Sequence, residues 1–581
     1  MVTIICLWAV LPAAGFAETG TPEDAIRELE RKRFEVQQEL REKNKVVTDK
    51  QNKERAANDK NLPNVSGENS FILNNIVIEN DEHLTWFEKR KIIAAFTGRE
   101  ISFNDINLLV RELTNLLIDK GFATTRVKVP VGQNIATGTL TLSIVNGRIE
   151  AIEAEEKSLR SSMQIFMAFP FHKGTYLNVR EIEYGLEQMN RLASNNAAMK
   201  IEPGAALGMS KVVIANKPVY AFTLEPGLDN LGQESTGEYR AKLFAGFDNL
   251  LSLNDSLYFN YTGSPHFDKN REHSRNYTAS LSFPFGKWNL MGTYSRSEYM
   301  QQVNGVNTKF KTSGNDTSEA FDLERLMFMK GFHRVKAKTA LTLKSKETFI
   351  EDAKIESSSR KLSVIKAGLD YSGFLLGGYL SIGSFYNRGL PYLGANHDER
   401  DAAKDVPRSE FTKFETSLLW NRQFEFFGKK FSYTFSTYGQ YSLDTLYSSE
   451  KINLGDLNTI RGFKDVQTQG DHGFYIRNDL SFPDMSFICR ALAGLKIIAG
   501  LDYGQTKEKS VNIQSKAALM GWHTGLRYAS SFINFNITYA RQVHAPNHIS
   551  EKPQVVYFSF SLPLRDAYIS LSQKTNEEPA L

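Results

Sequence analysis

From Val219 to about Leu562 the chain alternates with period two, and charged or polar side chains stand at many of the alternate positions. Tyr220, Phe222 and Leu224 fall on one face. Tyr239, Ala241, Leu243, Ala245 and Phe247 alternate with Glu238, Arg240, Lys242 and Asp248. Leu257, Phe259 and Tyr261 alternate with Ser256, Tyr258 and Asn260, and Tyr277, Ala279, Leu281 and Phe283 continue the pattern, as do Trp288, Leu290 and Tyr294. A sheet packed against a second sheet cannot hide so many charges. A wall with lipid on one side and water on the other can, and this is the signature of a transmembrane β-barrel.

Sixteen candidate strands can be marked, the last over Pro553 to Leu562. An even number is what such barrels use. Alternate connections are short, as at Pro284-Phe285-Gly286 and Gly428-Lys429, while 264–273, 299–318, 389–411, 445–472 and 505–516 read as long polar loops. Short turns on one side and long loops on the other match a barrel with a periplasmic and an external rim.

Composition closes other routes. Outside the first dozen residues no apolar run approaches the ~18 residues of a membrane-spanning helix. The net charge is +4 with 23% charged residues, which gives no footprint for a nucleic acid. The sequence has no CxxC, HExxH, GxSxG or GxxxxGK[ST], and its ten histidines show no metal-ligand spacing with its two cysteines, Cys6 and Cys489. No residue pattern here argues for a catalytic residue or a metal site.

The apolar stretch TIICLWAVL at 3–11 is too short to span a bilayer, and small residues up to Ala17 fit an export signal over 1–17 cleaved after Ala17. Residues 18–67 read as a helix and linker. Thr21-Pro22-Glu23-Asp24 is a helix start, and Ile26, Leu29, Val36 and Leu40 form a thin apolar stripe on an otherwise charged surface. Such a helix suits either a solvated spacer or the inside of a wet pore.

Two α/β modules follow, over 68–148 and 149–217. In the first, Phe71 to Asn80 reads as a strand, 84–96 and 103–119 as helices, Lys120-Gly121 as a helix end, and 123–131 and 138–145 as strands. This β-α-α-β-β order is that of a POTRA domain. The second copy runs from about Ile149 to Ala215 around one helix, Val179 to Leu192. Exposed sheet edges in such modules can accept an added strand.

Four short motifs then occur in order. Leu228-Asp229-Asn230-Leu231-Gly232, continuing to Thr236-Gly237, resembles the first-loop signature of the two-partner secretion transporters, the TpsB branch of the Omp85 superfamily. Thr459-Ile460-Arg461-Gly462-Phe463, in the long loop between strands eleven and twelve, is similar to the superfamily's VRGF/Y motif. Arg477-Asn478-Asp479-Leu480 is similar to the RNEL segment of strand twelve, with Asp for Glu, and Gly500-Leu501-Asp502-Tyr503-Gly504 to the strand-thirteen motif.

The resemblance implies a membrane all-β fold. It consists of a 16-stranded antiparallel barrel over 218–562, two periplasmic POTRA domains and an N-terminal helix plugging the pore. It also implies an unfolded TpsA exoprotein as client, passed through the barrel of a Gram-negative outer membrane. Lipid, periplasmic chaperones and the barrel-assembly machinery are the other partners, with no nucleic acid and no cofactor. An Omp85-type insertase that assembles other barrels is the alternative, though it usually has more POTRA domains and no plug. Family members usually end at or near the last strand. Here Pro563 to Leu581 continues, so either strand sixteen lies elsewhere or a tail, 563–581, has been added.

The motifs also make physical sense. A loop folded into a wet lumen has little apolar surface to hold it, so it needs polar anchors, and arginine offers a planar charged fork. On strand thirteen Leu495, Ile497 and Leu501 take one face, which turns Asp502 to the other. On strand twelve Phe474, Ile476 and Leu480 face lipid, which turns Arg477 and Asp479 inward. Arg461 is therefore expected to pair with Asp502, with Asp479 as runner-up, and Gly462 to allow close backbone approach.

Overall fold

The computed structural model describes residues 70–565 and Tyr568, apart from 171, 305–307, 400, 402, 466, 510–515 and 547–552. The export signal, the plug helix with its linker, and the tail beyond 565 except Tyr568 lie outside the described residues. The chain divides near Val219 into two units.

The first unit holds both α/β modules. In the first module Leu140, Leu142 and Ile144 alternate into the core and meet Leu109, Leu113 and Leu117, spaced at four residues along the helix Phe103–Asp119. Asn75–Glu79 runs parallel to Thr139–Val145, and Arg126–Lys128 pairs antiparallel on its other side. Capping boxes start both helices: Thr85 with Glu88 for Trp86–Phe96, and Ser102 with Asp105 for Phe103–Asp119. The continuous strand expected over Phe71 to Asn80 is two strands. Phe71–Ile72 pairs instead with Glu100–Ile101, because the amides of Asn74 and Asn75 both turn to the Gly138 carbonyl.

The second module repeats the plan. Arg148–Ala154 lies parallel to Met209–Asn216, and Ala197–Pro203 pairs antiparallel with the latter. Besides Val179–Met189 it has a second helix, Leu159–Ala168, absent from the sequence reading. Its capping box is Ser158 with Ser161, lacking the usual acidic partner, so the sequence carries no strong helix-start signal.

The two modules are joined by main chain as well as side chain. The Val179 amide donates to the Gly121 carbonyl at 2.8 Å, and Asn178 Nδ2 to the Lys120 carbonyl at 3.3 Å. Gly121 stands at φ +100°, and a Cβ there would meet Asn178 Oδ1 at 2.3 Å. Beside this contact the His83 ring stacks on Phe122 at 3.8 Å and meets the edge of Tyr176 at 4.5 Å.

The second unit is a closed antiparallel barrel. Its sixteen strands are Phe222–Asp229, Arg240–Asp248, Ser256–Gly263, His273–Phe285, Trp288–Asn304, Lys309–Lys330, His333–Ile350, Arg360–Leu375, Gly378–Leu390, Thr412–Phe426, Lys429–Ser442, His472–Ser481, Leu495–Lys507, Lys516–Ala529, Asn534–His544 and Gln554–Ser561. They are called strands one to sixteen below. A two-residue strand, Ala353–Lys354, folds back on the outer end of strand seven.

Alternation decides which face each side chain takes. Leu369 and Phe259 stay exposed toward lipid, while Ser280 and Thr293 are buried against the lumen side. The turn Phe427-Gly428 has both residues at positive φ, the geometry that matches strand twist in a two-residue hairpin.

One expectation changes here. Residues 299–318 are mostly strand, not loop: strand five runs to Asn304 and strand six starts at Lys309. In these outer segments most side chains on both faces are polar, and the apolar ones, such as Tyr299 and Met300, fall on both faces, so the alternation that betrays a wall strand is missing. The seam is also informative. Strands one and sixteen share only Ser559↔Asp229, Phe560↔Leu228 and Ser561↔Gly227. Strand sixteen thus lies where the sequence puts it and closes the barrel against strand one.

Candidate functional site: a loop held on the inner wall

The segment between strands eleven and twelve does not stand off into solvent. It forms a small hairpin, Ile452–Leu454 paired with Thr468–Gly470, and carries Arg461 beyond it against the inner wall. The turn before the motif is set by Asp456, whose Oδ1 accepts from the amides of Asn458 and Thr459. Ile460 and Phe463 are buried and pack with Leu454, Tyr475 of strand twelve and Leu519 of strand fourteen.

Arg461 is about 5% exposed and fully used. Its Nε donates to Asp502 Oδ2 at 2.6 Å and its Nη2 to Asp502 Oδ1 at 2.6 Å, a bidentate fork. Its backbone amide also donates to Asp502 Oδ2, at 3.1 Å. The remaining edge, Nη1, donates to Asp479 Oδ1 at 2.7 Å. Both acids suggested by the alternation are therefore engaged, where the sequence reading ranked one above the other. His523 Nε2 lies 3.0 Å from the same Asp479 oxygen, and Arg477 Nη1 donates to the Asn458 carbonyl of the loop.

Small residues make this approach possible. Gly462 has φ +102°, and a Cβ there would lie 2.8 Å from the Arg541 backbone of strand fifteen. A Cβ on Gly521 would come within 1.9 Å of the Arg461 carbonyl oxygen, and one on Gly504 within 2.9 Å of Leu454. On strand sixteen the buried Tyr557 hydroxyl donates to the Phe463 carbonyl.

The first-loop motif lies at the barrel seam. Asp229 is buried and takes a bidentate fork from Arg240, at 2.7 and 2.9 Å. Asn230 bonds across the seam with both ends of its amide: Nδ2 donates to the Val556 carbonyl at 2.8 Å, and Oδ1 accepts from the Phe558 amide at 2.8 Å. Gly232 lets the loop fold on itself, since a Cβ there would meet the Gly237 oxygen at 2.1 Å; Gly237 itself has φ +106°. The buried Thr236 offers its carbonyl to Ser264 Oγ at 3.3 Å. The first loop then reaches the arginine loop: Glu238 pairs with Lys464, and the Glu234 amide donates to Asp465 Oδ1 at 3.0 Å.

Sequence reasoning missed Arg240, Gly521, His523 and Tyr557. Arg240 was visible only as one more charge in an alternating strand, and the other three sit outside any short motif. Among the described residues no three His, Cys, Asp or Glu side chains converge as a metal site.

A sixteen-stranded barrel with two POTRA modules, whose arginine loop lies on its own inner wall, defines an Omp85-type outer-membrane barrel of the two-partner secretion class. The chain belongs to the haemolysin secretion/activation protein ShlB/FhaC/HecB family, whose profile matches residues 208–528. A ShlB-type POTRA domain matches 71–147 and a second POTRA domain 148–203. The outer membrane transporter CdiB of Dickeya dadantii is 30% identical over 85% of this chain and 86% of its own length. The hemolysin transporter protein ShlB of Serratia marcescens is 30% identical over 79% of this chain and 80% of its own length. The solved structure of CdiB from Escherichia coli superposes with a TM-score of 0.78 at 26% identity, covering 90% of this chain and 97% of that one. The barrel thus lies in the outer membrane with its POTRA modules in the periplasm, and the chain is a transporter of exoproteins across that membrane.

Proposed function

We propose that this transporter captures a cognate TpsA exoprotein in unfolded form through its POTRA modules and threads it through the barrel, with no catalytic step, while the arginine loop keeps the lumen in a passable conformation. The observation that carries the reading is the fully engaged Arg461: a loop bound to wall acids by charge, on a small apolar base, can shift without unfolding the wall. The open edges of both POTRA sheets, Ala197–Pro203 in the second and Arg126–Lys128 in the first, suit an extended client. The charged helix over 22–43 is assigned to the lumen as a plug, on its sequence alone; deleting it should raise conductance in planar bilayers.

The test is deletion of residues 71–145 in cells that co-express the cognate partner. Partner in the culture supernatant should fall to background while the barrel stays inserted and heat-modifiable. Secretion that persists would put client selection in the lumen instead.

A further inference from the structure

The loop is held at a second place, eleven residues before Arg461. Glu450 stands at its root, and its side chain is 1% exposed. Its carboxylate takes Lys344 Nζ of strand seven at 2.5 Å and Lys413 Nζ of strand ten at 3.2 Å. Its carbonyl accepts from Lys413 Nζ at 3.0 Å and from Gln440 Nε2 at 2.9 Å. Lys413 also meets Glu415, which meets Lys366 of strand eight. Two residues earlier, Ser448 accepts from Arg360, whose guanidinium lies over the Tyr447 ring. Leu446 is fully buried against Leu362, Val364 and Phe411.

Root and tip are therefore fixed with opposite polarity. At the root a loop carboxylate meets wall cations on strands seven and ten; at the tip a loop cation meets wall carboxylates on strands twelve and thirteen. Exchanging the two attachments would set like charges together, so the pattern fixes which end of the loop goes where. Each end also has an apolar seat and main-chain bonds: Leu446 and the Glu450 carbonyl at the root, Ile460, Phe463 and the Arg461 amide at the tip.

We propose that Glu450, with Lys344 and Lys413, is a root clamp: a positioning site that fixes the start of the loop on the wall and so presents Arg461 to Asp502 and Asp479. The proposal rests on the transport reading above and adds a second site to it. Glu450→Gln keeps the shape and removes the charge, leaving Lys344 without its carboxylate.

The experiment uses the full chain with its cognate partner, in a Cys489→Ser background. Glu450→Gln should cut secretion at least tenfold with normal insertion and heat-modifiability, and should alter open-channel conductance measured without client. Glu450→Cys with Lys344→Cys should fail in the same way, and a short bifunctional thiol reagent joining the two should restore secretion at least fivefold. Simple loss of fold would not be restored by such a bridge. Wild-type secretion and conductance in Glu450→Gln, or a bridge that abolishes the remaining secretion, would overturn the clamp. The transport reading itself fails separately, in the parent chain, if no partner reaches the medium.

Discussion

Arg461 and Asp502 meet through both forks of their side chains and through the Arg461 backbone amide, although 41 residues separate them. Two unit charges about 4 Å apart gain about 4 kcal/mol at an effective dielectric near 20. Desolvation takes back much of that, so the pair works as a positioning latch more than as a source of barrel stability. Arg461→Lys should cut secretion nearly as far as Arg461→Ala, because an ammonium cannot address Asp502 and Asp479 together. Immunoblots of culture supernatant and outer membrane, normalised to each other, provide the check.

Gly521 gives a steric test of the same contact. Gly521→Ala puts a methyl within 1.9 Å of the Arg461 carbonyl oxygen, and two backbones must separate to admit it. Its effect on secretion should match that of Arg461→Ala. Gly439→Ala is the control, since its Cβ would meet nothing closer than 3.9 Å, and it should secrete normally.

At the seam, strands one and sixteen share only three register pairs, and the Asn230 side chain adds two hydrogen bonds of 2.8 Å. At about 1 kcal/mol per bond, Asn230→Ala should cost the closed barrel about 2 kcal/mol. The temperature at which the compact electrophoretic form is lost should fall by several degrees, while Asn276→Ala, on strand four away from the seam, should fall less.

The junction between the POTRA modules should respond to pH. Burial lowers the pKa of His83 below 6.5, with Lys120 and Arg148 acting in the same direction and Glu82 against them. A base with a lowered folded pKa favours the folded contact when neutral. The contact is therefore complete above pH 6.5 and weakens as pH falls below it. Distances between spin labels on the two modules should broaden between pH 7.5 and 5.5, and His83→Phe should remove the change.

The legible parts of this molecule are those written in local periodicity. Leu501, Asp502 and Tyr503 alternate on a strand of known parity, which is enough to aim Asp502 inward. Asp479 follows from Phe474 and Ile476 in the same way. The outer halves of strands five and six were not legible, since their polar residues alternate with other polar residues. Helix Leu159–Ala168 was missed because its Ser-Ser capping box lacks the acidic residue that marks a helix start. Glu450 and Gly521 were invisible for a different reason. Their meaning lies in partners 106 and 60 positions away, and neither stands in a motif.

The central claim is that charge complementarity between Arg461 and the wall acids holds the loop for export. The most direct measurement is secretion by the charge-swapped chain, Arg461→Asp with Asp502→Arg, against each single variant. Each single change should leave the barrel inserted and secretion near background. The swap sets an arginine on strand thirteen, next to Asp479 and opposite the new loop carboxylate, and should restore secretion several-fold over either single. A double variant no better than the singles, together with an equally silent swap of Arg461 with Asp479, would contradict the claim.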